Sequence, residues 1–158
     1  MLVRHAQAAD APADVDRPLT AHGTRRAAAI GAWLAESGLT VGQAVVSPAR
    51  RAVQTWAAAG SGPSVVDPRV YDNTVEAVLA AIRDTHEDVQ QLAVVGHNPS
   101  ISHLAVLLDD GQGTPTARVQ LQAGFPPGGV AVFTLGTPWS DVAPGTGRLE
   151  DAALPGAG

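Results

Sequence analysis

Three short apolar runs in this sequence end in a histidine or an arginine-bearing turn. Leu2-Val3 runs into Arg4-His5, Val45-Val46 into Ser47-Pro48-Ala49-Arg50-Arg51, and Val94-Val95 into Gly96-His97-Asn98-Pro99. Runs this short and this apolar read as buried strands, and helical patterns separate them. Strands alternating with helices imply βα units and a parallel sheet covered on both faces. In such a sheet ligands bind at the carboxyl ends of the strands. The three polar endings are therefore expected on one edge, where two histidines and at least two arginines form an anion site. Helix N-termini after Ser47 and Asn98 add positive dipole ends to it.

The rest of the chain fits this frame. Thr20 is a good N-cap, and Ala27, Ile30, Gly31, Trp33 and Leu34 recur at helical spacing over Ala21–Glu36. Gln43–Val46 reads as a strand, with Ser47 as cap and Pro48 in the first turn of a helix that runs to about Ala59. A breaker at 60–63 precedes a strand at 64–67. A helix over 74–85 has Val75, Val78, Leu79 and Ile82 on one face, and a helix opening at Asn98-Pro99 has Ile101, Leu104, Ala105 and Leu108. Gly96 reads as a point of close backbone approach. Val119-Gln120-Leu121-Gln122 alternates like a strand, and 130–135 is a stronger one. Those two follow each other without a helix, which predicts an antiparallel edge. The tail from Gly136 is rich in Gly and Pro and is expected to wrap the surface. The first strand starts at the first residue, which is abrupt, and it is expected to lack a residue or two. The fold class is thus α/β, a three-layer α/β/α sandwich in one domain over 1–158.

Composition narrows the chemistry. Among 158 residues there are 15 acidic and 10 basic ones, for a net charge of −5; all the basic ones are Arg, and Cys is absent. Without Lys there is no Schiff-base enzyme and no Walker A phosphate loop. Without Cys there is no thiol nucleophile, disulfide framework or iron–sulfur cluster. The acidic balance argues against nucleic acid or an anionic membrane as partner. No run of about 18 apolar residues reads as a membrane span. Nothing resembles a targeting segment, so the cytoplasm is the expected compartment. His22, His86 and His103 lack a strand-end context and read as surface residues. His97 and His103 lie six apart on different helix faces with no carboxylate motif, so no metal site is expected.

Four strings together carry a family resemblance. Leu2-Val3-Arg4-His5-Ala6, Arg17-Pro18-Leu19-Thr20, Ser47-Pro48-Ala49-Arg50-Arg51-Ala52-Val53-Gln54-Thr55 and Val94-Val95-Gly96-His97-Asn98-Pro99 resemble, in order and spacing, signature segments of the histidine phosphatase (phosphoglycerate mutase-like) superfamily. The second string and the short chain are similar to its SixA-type phosphohistidine phosphatase branch. The likeness spans residues 2 to about 108.

The resemblance implies a phosphatase working through a phosphohistidine enzyme intermediate, with no cofactor. His5 would be the nucleophile. Arg4, Arg51 and His97 would hold the phosphoryl oxygens, with Arg17 and Asn98 as substrate-binding residues and Arg50 on the surface. Arg suits this work, because its fork matches phosphate and stays charged. Flanking cations should favour the neutral, attacking form of His5. Asp72 and Glu76 are the nearby candidates for a general acid, and neither sits in a convincing motif. The expected partner is a phosphorylated substrate, with a phosphohistidine-bearing protein domain as the foremost reading. The alternatives are a small-molecule phosphomonoester phosphatase of the same superfamily and a catalytically silent phosphate- or phosphohistidine-binding module.

Overall fold

In the computed structural model, which describes residues 1–60 and 62–157, strand and helix alternate: β1 (Leu2–Arg4), α1 (Ala21–Glu36), β2 (Gln43–Val46), α2 (Arg50–Ala59), β3 (Ser64–Val66), α3 (Val75–Arg83), β4 (Leu92–Gly96) and α4 (Ser100–Leu108). A further helix, α5 (Pro115–Gln122), follows, and β5 (Val130–Leu135) and β6 (Gly147–Ala153) complete the sheet. Of the expected breaker at 60–63, Ser61 lies outside the described residues.

The sheet order is β3-β2-β4-β1-β5-β6. The first four strands in that order are parallel, with Val45 and Leu2 both level with Val94 of β4. β5 and β6 run antiparallel, with a bulge between Val132 and Phe133. β1 and β4 are neighbours whose chains leave in opposite directions. β1 connects across β4 to β2, and β4 connects across β1 to β5. That divergence leaves a crevice at their carboxyl ends.

Side-chain alternation along each strand builds the two outer layers. Val3, Val46, Val95 and Val130 face Ile30 and Leu34 of α1 and Trp56 of α2. Leu2, Val45, Val94 and Ala131 face Val78 and Ile82 of α3, Ile101 and Leu104 of α4, and Leu121 of α5. The three-layer α/β architecture is therefore present. α1 has its predicted bounds, and Thr20 caps it by accepting from the Gly23 N–H. Gly96 is required by space. A Cβ there would stand 2.9 Å from Val70 Cγ1 and 3.1 Å from Ile101 Cδ1.

Three details differ from expectation. Residues 119–122 are the last turn of α5, which starts with Pro115 in its first turn and buries Ala117 and Leu121 one helical repeat apart. The antiparallel edge strand is instead β6, drawn from the tail that was expected to wrap the surface. And α2 starts at Arg50 behind Ala49, so Ser47 does not cap it. No helix among the described residues is long and apolar enough to cross a membrane.

Candidate active site

The cleft at the carboxyl edge is built on backbone hydrogen bonds to β4. Its last carbonyls accept from the strand-end residues on either side: Gly96 from the His5 N–H and Val95 from the Ser47 N–H, both at 3.0 Å. These bonds bring the three polar strand endings to one level. The cleft has a volume of about 600 Å³. It is lined by Arg4, His5, Gln7, Ala8, Asp14, Arg17, Arg51, Tyr71, Asn73, His97, Asn98 and Pro127.

His5 sits directly after β1. Its Nδ1 is 2.8 Å from the Ala6 carbonyl oxygen, and Arg51 Nε donates to its Nε2 at 3.2 Å. A carbonyl only accepts, so Nδ1 carries the proton and Nε2 keeps its lone pair. Burial pushes the His5 pKa down to about 4, with Arg51, Arg4 and Arg17 adding to the same direction against the opposing Ala6 bond. The neutral form expected from neighbouring cations is present, with burial as the larger cause.

Arg51, in the first turn of α2, is buried at 6% exposure and reaches across the cleft. Nη1 donates to the Asp14 carbonyl at 2.7 Å, and Nη2 donates to Asp14 Oδ2 at 3.0 Å and lies 3.3 Å from His97 Nδ1. Its neighbour Arg50 is exposed. The Gln-Thr pair one turn further on tightens the frame. Thr55 Oγ1 accepts from the Ala6 N–H and donates to the Arg51 carbonyl, and Gln54 Oε1 accepts from the Leu19 N–H. These contacts lock the loops bearing His5 and Arg17 onto α2.

His97 is buried at 4% exposure, its ring centroid 5.0 Å from that of His5, and Tyr71 meets it edge-on. Burial is again the main cause that lowers its pKa, to about 3, with His5 and Arg51 next. Arg4 Nη1 and Asn98 Nδ2 both donate to the Phe125 carbonyl, at 2.9 and 3.0 Å. Arg4 Nε and Asn98 Oδ1 are buried without a partner among the described residues. Arg17 is half-buried, donates from Nε to the Ala9 carbonyl, and faces Asp14 and Asp10.

Arg4, His5, Arg17, Arg51, His97 and Asn98 thus share one cleft. Asp72 and Glu76 do not line it and are exposed. The carboxylate that does line it is Asp14, on a 3-10 turn at Asp14–Asp16. Its hydrogen bond from the Tyr71 hydroxyl (2.9 Å), followed by that from Arg51, holds its pKa below the usual carboxylate range. Asn73, with a φ of 58°, accepts from the Ser100 N–H and donates to the Asn98 carbonyl, fixing the turn that follows His97. Sequence reasoning missed Asp14, Tyr71 and Asn73 as site residues. They come from 3-10 turns and loops with no periodic signal, and Asp14 is one of three aspartates in its loop.

The sequence profile of the histidine phosphatase superfamily (branch 1) matches residues 1–73. The phosphohistidine phosphatase SixA of Escherichia coli K12 is 31% identical over 124 residues, covering 72% of this chain and 76% of its own. A structure from Nakamurella multipartitia, provisionally assigned as a SixA phosphohistidine phosphatase, is 34% identical with a TM-score of 0.87, over 99% of this chain and 96% of its own. A structure of the protein histidine phosphatase SixA complexed with tungstate is 28% identical with a TM-score of 0.77, over 98% and 95%. The chain belongs to the histidine phosphatase superfamily, on its SixA-type branch. It is a phosphohydrolase acting on a phosphorylated substrate.

Proposed function

We propose that the protein removes the phosphoryl group from a phosphohistidine, borne by a protein, in two in-line steps at His5. In the first, the His5 Nε2 lone pair attacks phosphorus, the bond to the substrate imidazole breaks, and that ring departs with the electron pair. In the second, water attacks the phosphorylated His5, a water proton is given up, and inorganic phosphate leaves as Nε2 regains its lone pair. Charge in such a transfer spreads over the equatorial oxygens, so the protein's task is positioning and electrostatic stabilisation. Arg51 turns its donors from His5 and Asp14 to the phosphoryl oxygens. Arg4 and Arg17 supply further donors, and Asn98 holds the Phe125 carbonyl beside Arg4.

The observation that carries the substrate reading is the state of Asp14. Among the described residues it is the one carboxylate lining the cleft, and its hydrogen bonds keep it ionised near neutral pH. An ionised carboxylate cannot protonate a departing alkoxide. A phosphohistidine needs no such acid, because its ring is protonated at the second nitrogen and leaves as neutral imidazole. The oxyanion tungstate held by a relative of 28% identity supports the anion site. The test is a panel of phosphohistidine peptide, aryl phosphate and sugar phosphates at one pH. The expected order of kcat/KM puts phosphohistidine first by at least about tenfold, roughly 1.4 kcal/mol in the barrier. An alkyl phosphate ester turned over faster than the peptide overturns the substrate class. Stoichiometric phosphate binding with no turnover of any of them would make the protein a binding module.

A further inference from the structure

Ser47 is completely buried, polar, and unused by the two-step scheme. It leaves β2 beside the end of β4, and its Oγ lies 2.7 Å from His97 Nε2. The Ala49 N–H donates to the same oxygen at 3.3 Å. On the other side of the ring, His97 Nδ1 lies 3.3 Å from Arg51 Nη2. A guanidinium has donors and no acceptor, so Nδ1 accepts. The single N–H of the neutral ring is then on Nε2 and points at Ser47.

We infer that Ser47 is a positioning residue that holds His97 in its Nε2–H tautomer, so that His97 Nδ1 faces the arginine donors as an acceptor and the cleft takes the phosphoryl group in singly protonated form. The inference rests on the reading of the cleft as a phosphoryl site. A dianionic phosphoryl group offers acceptors only, and against Nδ1 one of its oxygens meets a lone pair. A monoanion carries one P–O–H, which donates to Nδ1 while the remaining oxygens take the arginines. The proton arrives with the ligand and no covalent bond changes. Once inorganic phosphate forms and ionises, the mismatch with Nδ1 returns and favours its release.

The groups facing His97 do not supply a competing titration. His5 and Arg4 face it from β1, Arg51 from α2, Asp14 from its 3-10 turn, and Tyr71 from the segment before α3. His5 stays neutral above about pH 4, Asp14 stays ionised, and its bond to Asp14 raises the Tyr71 pKa above its ordinary value. In the free protein each holds one state between roughly pH 5.5 and 8.5.

Calorimetric titration of inorganic phosphate across that range tests the inference. Wild-type affinity is expected to fall about tenfold per pH unit above the second ionisation of phosphate, as one shared proton requires. Ser47→Ala removes the acceptor for Nε2–H, frees the ring to move its proton to Nδ1, and flattens this dependence. Ser47→Thr keeps the hydroxyl and the slope. Asp14→Asn also keeps it, since Asp14 is not the acceptor in question. Nitrogen-15 NMR of wild-type His97 should show a protonated Nε2 and a bare Nδ1 without phosphate, a readout that stands even where Ser47→Ala fails to fold. A pH-independent wild-type affinity, a protonated Nδ1 in the free protein, a slope that survives Ser47→Ala, or one lost in Asp14→Asn each overturns the inference. No phosphate binding at any pH overturns the phosphoryl-site reading as well, so the two failures are distinguishable.

Discussion

At the carboxyl ends of the parallel strands lies the cleft with Arg4, His5, Arg51 and His97. At their amino ends lies a second concavity of about 450 Å³, walled by Leu34, Val41, Ile82, Leu92, Leu135 and Trp139. Volume does not separate the two, but the direction of the chain does. Each parallel strand enters the sheet at the amino end with its apolar residues and leaves it at the carboxyl end through a turn. The turn is free of the core and can carry arginine and histidine. The helices that follow point their N-termini the same way, with positive dipole ends aimed outward. The amino-end groove receives the finishing turns of α1 and α3 and is walled mostly by apolar side chains. Changes at the first end should strike turnover, and changes at the second should strike stability.

The largest expected effect is His5→Ala. It removes the proposed attacking atom, and turnover of any phosphate ester or phosphoramidate should vanish while the circular dichroism spectrum and melting stay near wild type. Residual turnover above that of free imidazole would break the assignment. Within one helix turn the same logic separates two arginines. Arg51→Ala should cost about 10²–10³-fold in kcat, the usual loss for one donor at a developing charge, whereas Arg50→Ala on the exposed side should stay within about twofold. Equal losses for both would mean that α2 does not present Arg51 alone to the cleft.

How much of this was legible depends on whether a residue's role follows from its own segment. α1 was readable to the residue, because Thr20 and a long period of apolar side chains agree. Residues 119–122 were not, because four positions fit either period, and the deciding signal was Pro115 further back. β6 hid because Gly147–Ala153 buries little besides Leu149 and Gly147 and is held by pairing with β5. In the site, Arg4, His5, Arg51 and His97 announce themselves as strand endings or within the family's signature segments. Asp14, Tyr71 and Asn73 matter only through the loops that fold back over those endings. Ser47 was visible, yet its partner is His97, fifty residues away, and only the β2–β4 register joins them.

At the amino end the expected effect is on stability. Leu34 is 2% exposed and packs between α1 and the sheet. Leu34→Ala should cost roughly 2–5 kcal/mol, a melting shift of about 5–15 °C for a chain of this size. The kcat of the folded fraction should be unchanged. A variant that melts normally but turns over slowly would show that this groove communicates with the cleft.

The smallest effect is the share of the pH dependence of stability that comes from the two buried histidines at the carboxyl end. The pKa of His5 is lowered to about 4 and that of His97 to about 3, from an ordinary 6.5, chiefly by burial. Both are therefore neutral in the fold where the unfolded chain takes up protons. Below pH 6.5 the unfolded state binds more protons than the folded one, so stability falls as pH falls. For His5 the loss is complete at about pH 4, and for His97 at about pH 3. The carboxylate of Asp14, with its lowered pKa, adds its own loss only below its ordinary range, near 3.8. Between pH 6.5 and 4 the histidines are thus separable from it. Denaturant melts of wild type and His5→Ala across this window isolate the His5 share as a difference. The variant should be the less pH-sensitive of the two, gaining on wild type as the solution is acidified. Parallel curves would mean that His5 is as well solvated in the fold as in the unfolded chain. Turnover should hold down to about pH 5 and drop as Nε2 takes up a proton near pH 4, giving an acid limb that moves with the same residue.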